Sequence, residues 1–234
     1  MALTDISSSS AARACGRASG PLSALTLGSE FERRGSVVLV PRNKALLEEG
    51  DQAEYVFKVV AGALRTVRFL PDGRRHIANF LLPGDLFGYE DTAFHAYGVE
   101  AASDATVIRY PRQLFEDVIK RDAGVARQFL ALVCGQLAST QDRLLLLGRK
   151  SATERLASFL LALAERMRGN GSQDKELDLP MSRSDIADYL GLTVETVSRT
   201  LTQLRSAHVI ELPSVAHVVL RQRQTLNELS ACAA

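Results

Sequence analysis

At 234 residues the chain holds one or two domains of about 100–200 residues each. A composition of 46% hydrophobic and 24% charged residues excludes wholesale disorder, and no apolar run approaches the ~18–20 residues of a membrane span. Cys15, Cys134 and Cys232 are odd in number and far apart, which argues against a disulfide framework and for a reducing cytoplasm. Net charge is only +1, with 11 Lys+Arg against 10 Asp+Glu in residues 149–234 and 17 against 17 before them, so phosphate contacts alone do not define a partner.

In chain order, residues 1–27 contain no apolar block of signal-peptide length and read as a flexible N-terminal arm. Residues 28–111 read as a β-barrel domain. Short apolar or alternating runs (Ser36–Val40, Tyr55–Val60, Ala63–Leu70, His76–Leu82, Ala105–Tyr110) are broken by Glu49-Gly50-Asp51, Ala61-Gly62, Pro71-Asp72-Gly73 and Pro83-Gly84-Asp85. Runs this short at spacings near ~8–12 residues predict an antiparallel sandwich or jelly roll of about eight strands.

After Pro111 the period changes. Residues 112–147 hold only two glycines, Gly124 and Gly135, no proline, and apolar residues at helical spacing, which predicts one dimerisation helix of about 35 residues, ~50 Å long. Ala126, Leu130, Val133, Leu137, Thr140, Leu144 and Leu147 step alternately by four and three, a coiled-coil-like seam. Val118, Val125, Phe129 and Leu132 form a second stripe. Two apolar faces imply two partners, the chain's own barrel and a second subunit; the alternative is a long core helix of a single domain. Cys134, in the same apolar stretch, reads as a buried small hydrophobe, with a redox role as the alternative.

Residues 148–234 form the last domain. A helix from about Thr153 to Met167 carries the stripe Leu156, Phe159, Leu160 and Leu163, and Gly169–Glu176 reads as a polar loop. The segment 182–204, SRSDIADYLGLTVETVSRTLTQL, begins with a capping-box pattern, Ser182 and Asp185. Gly191 supplies a left-handed helix end, Thr193 caps a second helix, and Ile186, Ala187, Leu190, Val197, Leu201 and Leu204 supply the inner faces. This is a helix-turn-helix pattern. HVIEL and HVVLRQ, around Pro213-Ser214, predict a two-stranded wing.

Glu195, Ser198, Arg199 and Thr202 share the other face of the second helix. Arg can donate twice to guanine O6 and N7, Glu can accept from cytosine N4, and Ser is adaptable. The competing interpretation is a solvated face with an ordinary Glu195–Arg199 i,i+4 ion pair. Position at the start of the second helix of a helix-turn-helix favours DNA.

ERLASFLLALAER, LPMSRSDIADYLGLTVETVSRTLTQL and the wing resemble the DNA-binding half of the CRP/FNR family of bacterial transcription regulators, and GLTVETVSR resembles its FNR and FixK branches. The resemblance covers nearly the whole chain after about residue 30. It implies an α+β fold: an N-terminal cyclic-nucleotide-binding-like β jelly-roll barrel, a long dimerisation helix and a C-terminal winged helix-turn-helix. It also implies that Glu195, Ser198 and Arg199 read a TTGAT half-site and that Thr196 touches phosphate. Val194, Thr193, Thr202 and Arg183 are further candidate DNA contacts.

The departures from the family pattern narrow the branch. Four cluster thiolates cannot be assembled from three cysteines so placed. The cyclic-nucleotide pattern F-G-E is Phe87-Gly88-Tyr89 here, and no Arg or Lys lies between Leu86 and Val107 to hold a phosphate. This points to the FixK branch, whose members activate microaerobic, anaerobic and nitrogen-fixation genes without an obligatory cofactor. A cupin-like metal enzyme is the remote alternative; His76 and His95 lack the spacing of a metal cluster, and no nucleophile elbow, P-loop or HExxH occurs. The expectation is a cytoplasmic homodimeric activator with double-stranded palindromic DNA, itself and RNA polymerase as partners, and no cofactor, metal or membrane. An effector-gated regulator binding a small ligand in the barrel is the alternative.

Overall fold

The computed structural model describes residues 29–90, 92–168 and 175–231; the expected arm at 1–27, with Cys15, and the C-terminal Cys232 lie outside these. A short helix α1 (Ser29–Arg33) precedes eight strands: β1 (Ser36–Val40), β2 (Ala45–Leu47), β3 (Tyr55–Ala61), β4 (Leu64–Phe69), β5 (Arg75–Leu81), β6 (Leu86–Phe87), β7 (Gly98–Ala101) and β8 (Ala105–Pro111). Then follow α2 (Arg112–Arg121), α3 (Ala123–Arg149), α4 (Ala152–Arg168), β9 (Glu176–Asp178), α5 (Arg183–Leu190), α6 (Val194–Ser206), β10 (Ile210–Glu211), β11 (His217–Leu220) and α7 (Arg223–Ser230).

The eight N-terminal strands form two antiparallel sheets, β1-β8-β3-β6 and β2-β7-β4-β5. Their period-2 alternation decides what faces what. Phe57 and Val59 of β3 point between the sheets with Leu64, Leu81, Phe87, Val99 and Val107, and Phe57 stacks on Phe87 at 5.1 Å. Val56 and Tyr110 point the other way, into a second cluster with Phe31, Phe115, Val125 and Leu132 from the helices. Turns close the strands where the sequence places them. At Gly62, φ is +75° and a Cβ would lie 2.1 Å from the Asp104 carbonyl oxygen, so only glycine fits.

The region 112–147 is two helices rather than one. Asp122 adopts an extended conformation, φ −118° and ψ 105°, and its carboxylate accepts the Gly124 and Val125 amides at 2.8 and 3.1 Å. A capping aspartate satisfies amides that an unbroken helix would bond to the preceding turn, and so starts a new helix within an apolar period that runs straight through. At 27 residues, α3 spans ~40 Å. Its two stripes separate as their spacing requires. Val125, Phe129 and Leu132 pack on the barrel with Val118 of α2, while Leu130, Leu137 and Leu144 remain 62%, 60% and 68% exposed. Ala126 and Leu147 are half-buried, and Val133 and Thr140 are exposed. Cys134 is exposed, not buried as its apolar neighbours imply, because it follows Val133 on the side of α3 turned away from the barrel.

The C-terminal core gathers Leu156, Phe159, Leu160 and Leu163 of α4 with Ile186, Ala187 and Leu190 of α5 and Val197, Leu201 and Leu204 of α6. The wing has three strands, not two. The order is β10-β11-β9, with Leu177 of β9 paired to Val218, and β9 begins at Glu176, the last residue of the expected polar loop. Leu177 is buried between exposed Glu176 and Asp178, a three-residue alternation too short to signal a strand. The helix α7 follows the wing, and Leu226 anchors it in the same core. Barrel residues Val67, Ile77, Phe80 and Leu82 join this cluster, so the outer face of β4 and β5 is the surface on which the C-terminal domain packs. No described helix is long and apolar enough to cross a membrane.

Candidate DNA-reading site

The site is built from local chemistry. Ser182 Oγ accepts the Asp185 amide at 3.1 Å and the Asp185 carboxylate accepts the Ser182 amide at 3.0 Å, which completes a capping box at the start of α5. Gly191, in the left-handed region at φ +61° and ψ 42°, ends that helix, and the Leu192 amide closes the turn on the Ala187 carbonyl at 3.0 Å. Thr193 caps α6 by accepting the Thr196 amide at 3.2 Å. Arg155 braces the junction, donating to the Lys150, Leu147 and Leu190 carbonyls at 2.8, 2.9 and 3.0 Å, so one guanidinium ties the end of α3 to the end of α5. The turn angle thus rests on hydrogen bonds at both ends and on the buried Ala187 and Val197.

The polar face of α6 points away from this core. Glu195, Arg199 and Thr202 are exposed and Ser198 is half-buried. The Glu195 carboxyl lies below its ordinary range, because its own backbone amide and then the Thr193 hydroxyl donate to it; it is therefore an acceptor at neutral pH. Among the described residues no ion pair joins Glu195 to Arg199. Val194 is exposed and Thr196 half-buried, with its hydroxyl 3.1 Å from that of Thr193. The Thr202 hydroxyl is committed to the Ser198 carbonyl at 2.9 Å. Arg183 lies on α5 instead, half-buried, with a buried Nε that has no hydrogen-bond partner among the described residues. A helix face carrying one carboxylate, two hydroxyls and one guanidinium can meet base edges in a major groove.

On the barrel side, the positions the sequence singles out are packed as follows. Tyr89 meets Phe129 of α3 edge-on, with centroids 5.2 Å apart, and burial pushes its hydroxyl well above the ordinary phenol range. His95 is a core histidine, 3% exposed, with Nδ1 3.5 Å from Glu90. Among the described residues no three His, Cys, Asp or Glu side chains converge on a common point.

Fold and site together define a jelly-roll barrel carrying a winged helix-turn-helix, the class of two-domain DNA-binding regulators. A family model of the cyclic nucleotide-binding domain matches residues 37–122, and one of the Crp-like helix-turn-helix domain matches residues 154–229. The nitrogen fixation regulation protein FixK of Azorhizobium caulinodans is 43% identical over 198 residues, 84% of this chain and 80% of the relative. Its namesake in Rhizobium meliloti is 38% identical over 186 residues, 80% of this chain and 83% of that protein. The structure of FixK2 from Bradyrhizobium japonicum superposes with a TM-score of 0.80 at 42% identity, covering 86% of this chain and 99% of that one. The chain belongs to the CRP/FNR family of transcription regulators, within its FixK group, and is a DNA-binding regulator rather than an enzyme.

Proposed function

We propose that the protein is a homodimeric transcription activator that reads a TTGAT-N4-ATCAA palindrome without an obligatory cofactor, in control of microaerobic or nitrogen-fixation genes. The observation that carries this reading is the outward face of α6, where ionised Glu195 and exposed Arg199 flank Ser198 at the first turns of the helix. Glu195 accepts from cytosine, Arg199 donates to guanine, and Ser198 adapts between them. Thr193, Val194, Thr196 and Thr202 lie on or beside that face, Thr196 against backbone phosphate, and Arg183 approaches from α5.

The seam Ala126, Leu130, Val133, Leu137, Thr140, Leu144 and Leu147, exposed except at half-buried Ala126 and Leu147, supports the dimer, since leucines this open are a cost until a second copy covers them. Two-fold pairing along α3 puts the two α6 helices into successive major grooves, about one DNA turn (~34 Å) apart. The packing of Tyr89 against Phe129, and the lack of any Lys or Arg between Leu86 and Val107, support activity without a nucleotide. RNA polymerase is the remaining partner, and the cytoplasm the place of action.

Fluorescence anisotropy with the reduced, metal-free protein and a labelled TTGAT-N4-ATCAA duplex, against a scrambled duplex and with no nucleotide added, tests this. Tight, selective binding is expected. Equal affinity for both duplexes refutes the operator, and selectivity that appears only on adding a cyclic nucleotide refutes cofactor independence.

A further inference from the structure

The barrel and the C-terminal domain are joined by a charged cluster, and α5, the helix that leads into α6, stands on it. Arg65 of β4 is 5% exposed and Asp185 of α5 is 2% exposed. Arg65 Nη1 donates to both Asp185 oxygens at 2.9 and 3.0 Å, while its Nε and Nη2 donate to Glu100 at 3.0 and 2.8 Å. One turn further along α5, Asp188 accepts from Nε and Nη2 of Arg75 of β5 at 2.9 and 2.7 Å, and that Nη2 also reaches Asp185 at 2.8 Å. Asp185 therefore does two jobs: it closes the capping box with Ser182 and receives two guanidinium groups from the barrel.

A capping box needs no arginine. Buried ion pairs add little net stability against a hydrophobic replacement, because desolvation offsets most of the attraction. What planar, forked guanidinium groups do supply is direction. Two of them grip consecutive turns of α5, and two contacts along one helix remove its freedom to swivel on the sheet. The recognition helix α6 is fixed to α5 by the Gly191 turn and the shared core, so it inherits that orientation. The barrel in turn is fixed to α3 through Val125 and Leu132.

We propose that Arg65 and Arg75 are positioning residues for DNA reading: by clasping Asp185 and Asp188 they hold α6 in one orientation relative to the barrel and α3, and so set the half-site spacing the dimer accepts. This rests on α6 being the reader of a homodimer.

Arg75→Gln and Asp188→Asn are the test variants, since both side chains are only partly buried and Arg65 still compensates Asp185 in each. Double electron–electron resonance reads the clasp directly. Spin labels sit at Val37 of β1 and Gln203 of α6, in protein whose native cysteines are replaced by serine and whose labelled subunits are diluted into unlabelled ones. The parent gives one narrow distance distribution, and both variants give a broad one while still unfolding cooperatively. In anisotropy, both variants keep the parent's affinity for a duplex with a single half-site. Their preference for a four-base over a five-base spacer falls by about fivefold, the order of one partly exposed ion pair. A merely structural role would lower stability and leave the spacing preference alone. Unchanged, narrow distributions in both variants overturn the clasp, and broadened distributions with an unchanged spacing preference overturn its role in DNA reading. The distance measurement needs no operator, so an absence of TTGAT selectivity in the parent counts against the operator alone.

Discussion

Replacing Leu137 and Leu144 together with glutamate is expected to dissociate the proposed dimer, and the structure sets the scale. Fully burying a leucine side chain contributes ~1.5–3 kcal/mol. In the single chain 60% of Leu137 and 68% of Leu144 remain open, although the adjacent barrel-facing stripe is covered. Covering them therefore contributes about 1–2 kcal/mol each, or ~4–8 kcal/mol for the four copies in a two-fold dimer. Loss of that contribution weakens association by about three to six orders of magnitude. Four carboxylates facing each other across the seam add repulsion that desolvation makes worse. Neither residue contributes to the barrel or C-terminal core clusters, so each subunit keeps its fold. Sedimentation velocity at micromolar concentration reads the outcome, with far-UV circular dichroism as the control for folding. The parent sediments as a dimer and the double variant as a folded monomer. A double variant that still sediments as a dimer refutes both the seam and the reasoning from exposure.

Arg199→Ala costs ~1–3 kcal/mol per half-site and relaxes discrimination at the guanine, measured by anisotropy against duplexes substituted at that base; retained discrimination rules Arg199 out as its reader. The Asp185 carboxyl titrates below its ordinary value of 3.8. Burial opposes ionisation, but the Ser182 backbone and hydroxyl donors, with Arg65 and Arg75, outweigh it. A depressed folded-state value means stability that is present above about pH 4 and lost as pH falls through the lower folded value. Unfolding profiles against pH check this, and Asp185→Asn flattens the acid limb. Gly62→Ala forces φ +75° on an L-residue and drives its Cβ to within 2.1 Å of the Asp104 carbonyl oxygen and 2.7 Å of the Ala105 Cα. It lowers stability by about 2 kcal/mol or more, seen as a drop in Tm of ~5 °C or more; an unchanged Tm refutes the clash.

The readable parts of this protein are those whose causes lie close together in the chain. The helix-turn-helix rests on Ser182 and Asp185 three residues apart, on Gly191, and on apolar positions at spacings of three and four. Capping, a left-handed turn and helical periodicity are all local, and the structure places them as their spacing requires. The Glu195, Ser198 and Arg199 face follows from the same period. The turns of the barrel were legible for a similar reason, since Gly62 and Pro71-Asp72-Gly73 signal a reversal whatever lies across the sheet. The helix break at Asp122 was also local, but a continuous apolar period masked a one-residue cap. Tertiary structure decided the rest. β9 is a strand only because β11 offers it a partner, and α7 is anchored only because Leu226 finds the core shared with α4. The exposure of Cys134 depends on which side of α3 meets the barrel. The clasp was the least visible of all, because Arg65 and Asp185 are 120 positions apart, and in sequence Asp185 reads only as a helix cap and Arg65 as an ordinary charge. A hydrogen bond across such a separation has no periodicity to announce it; it exists only once two independently readable domains are packed face to face.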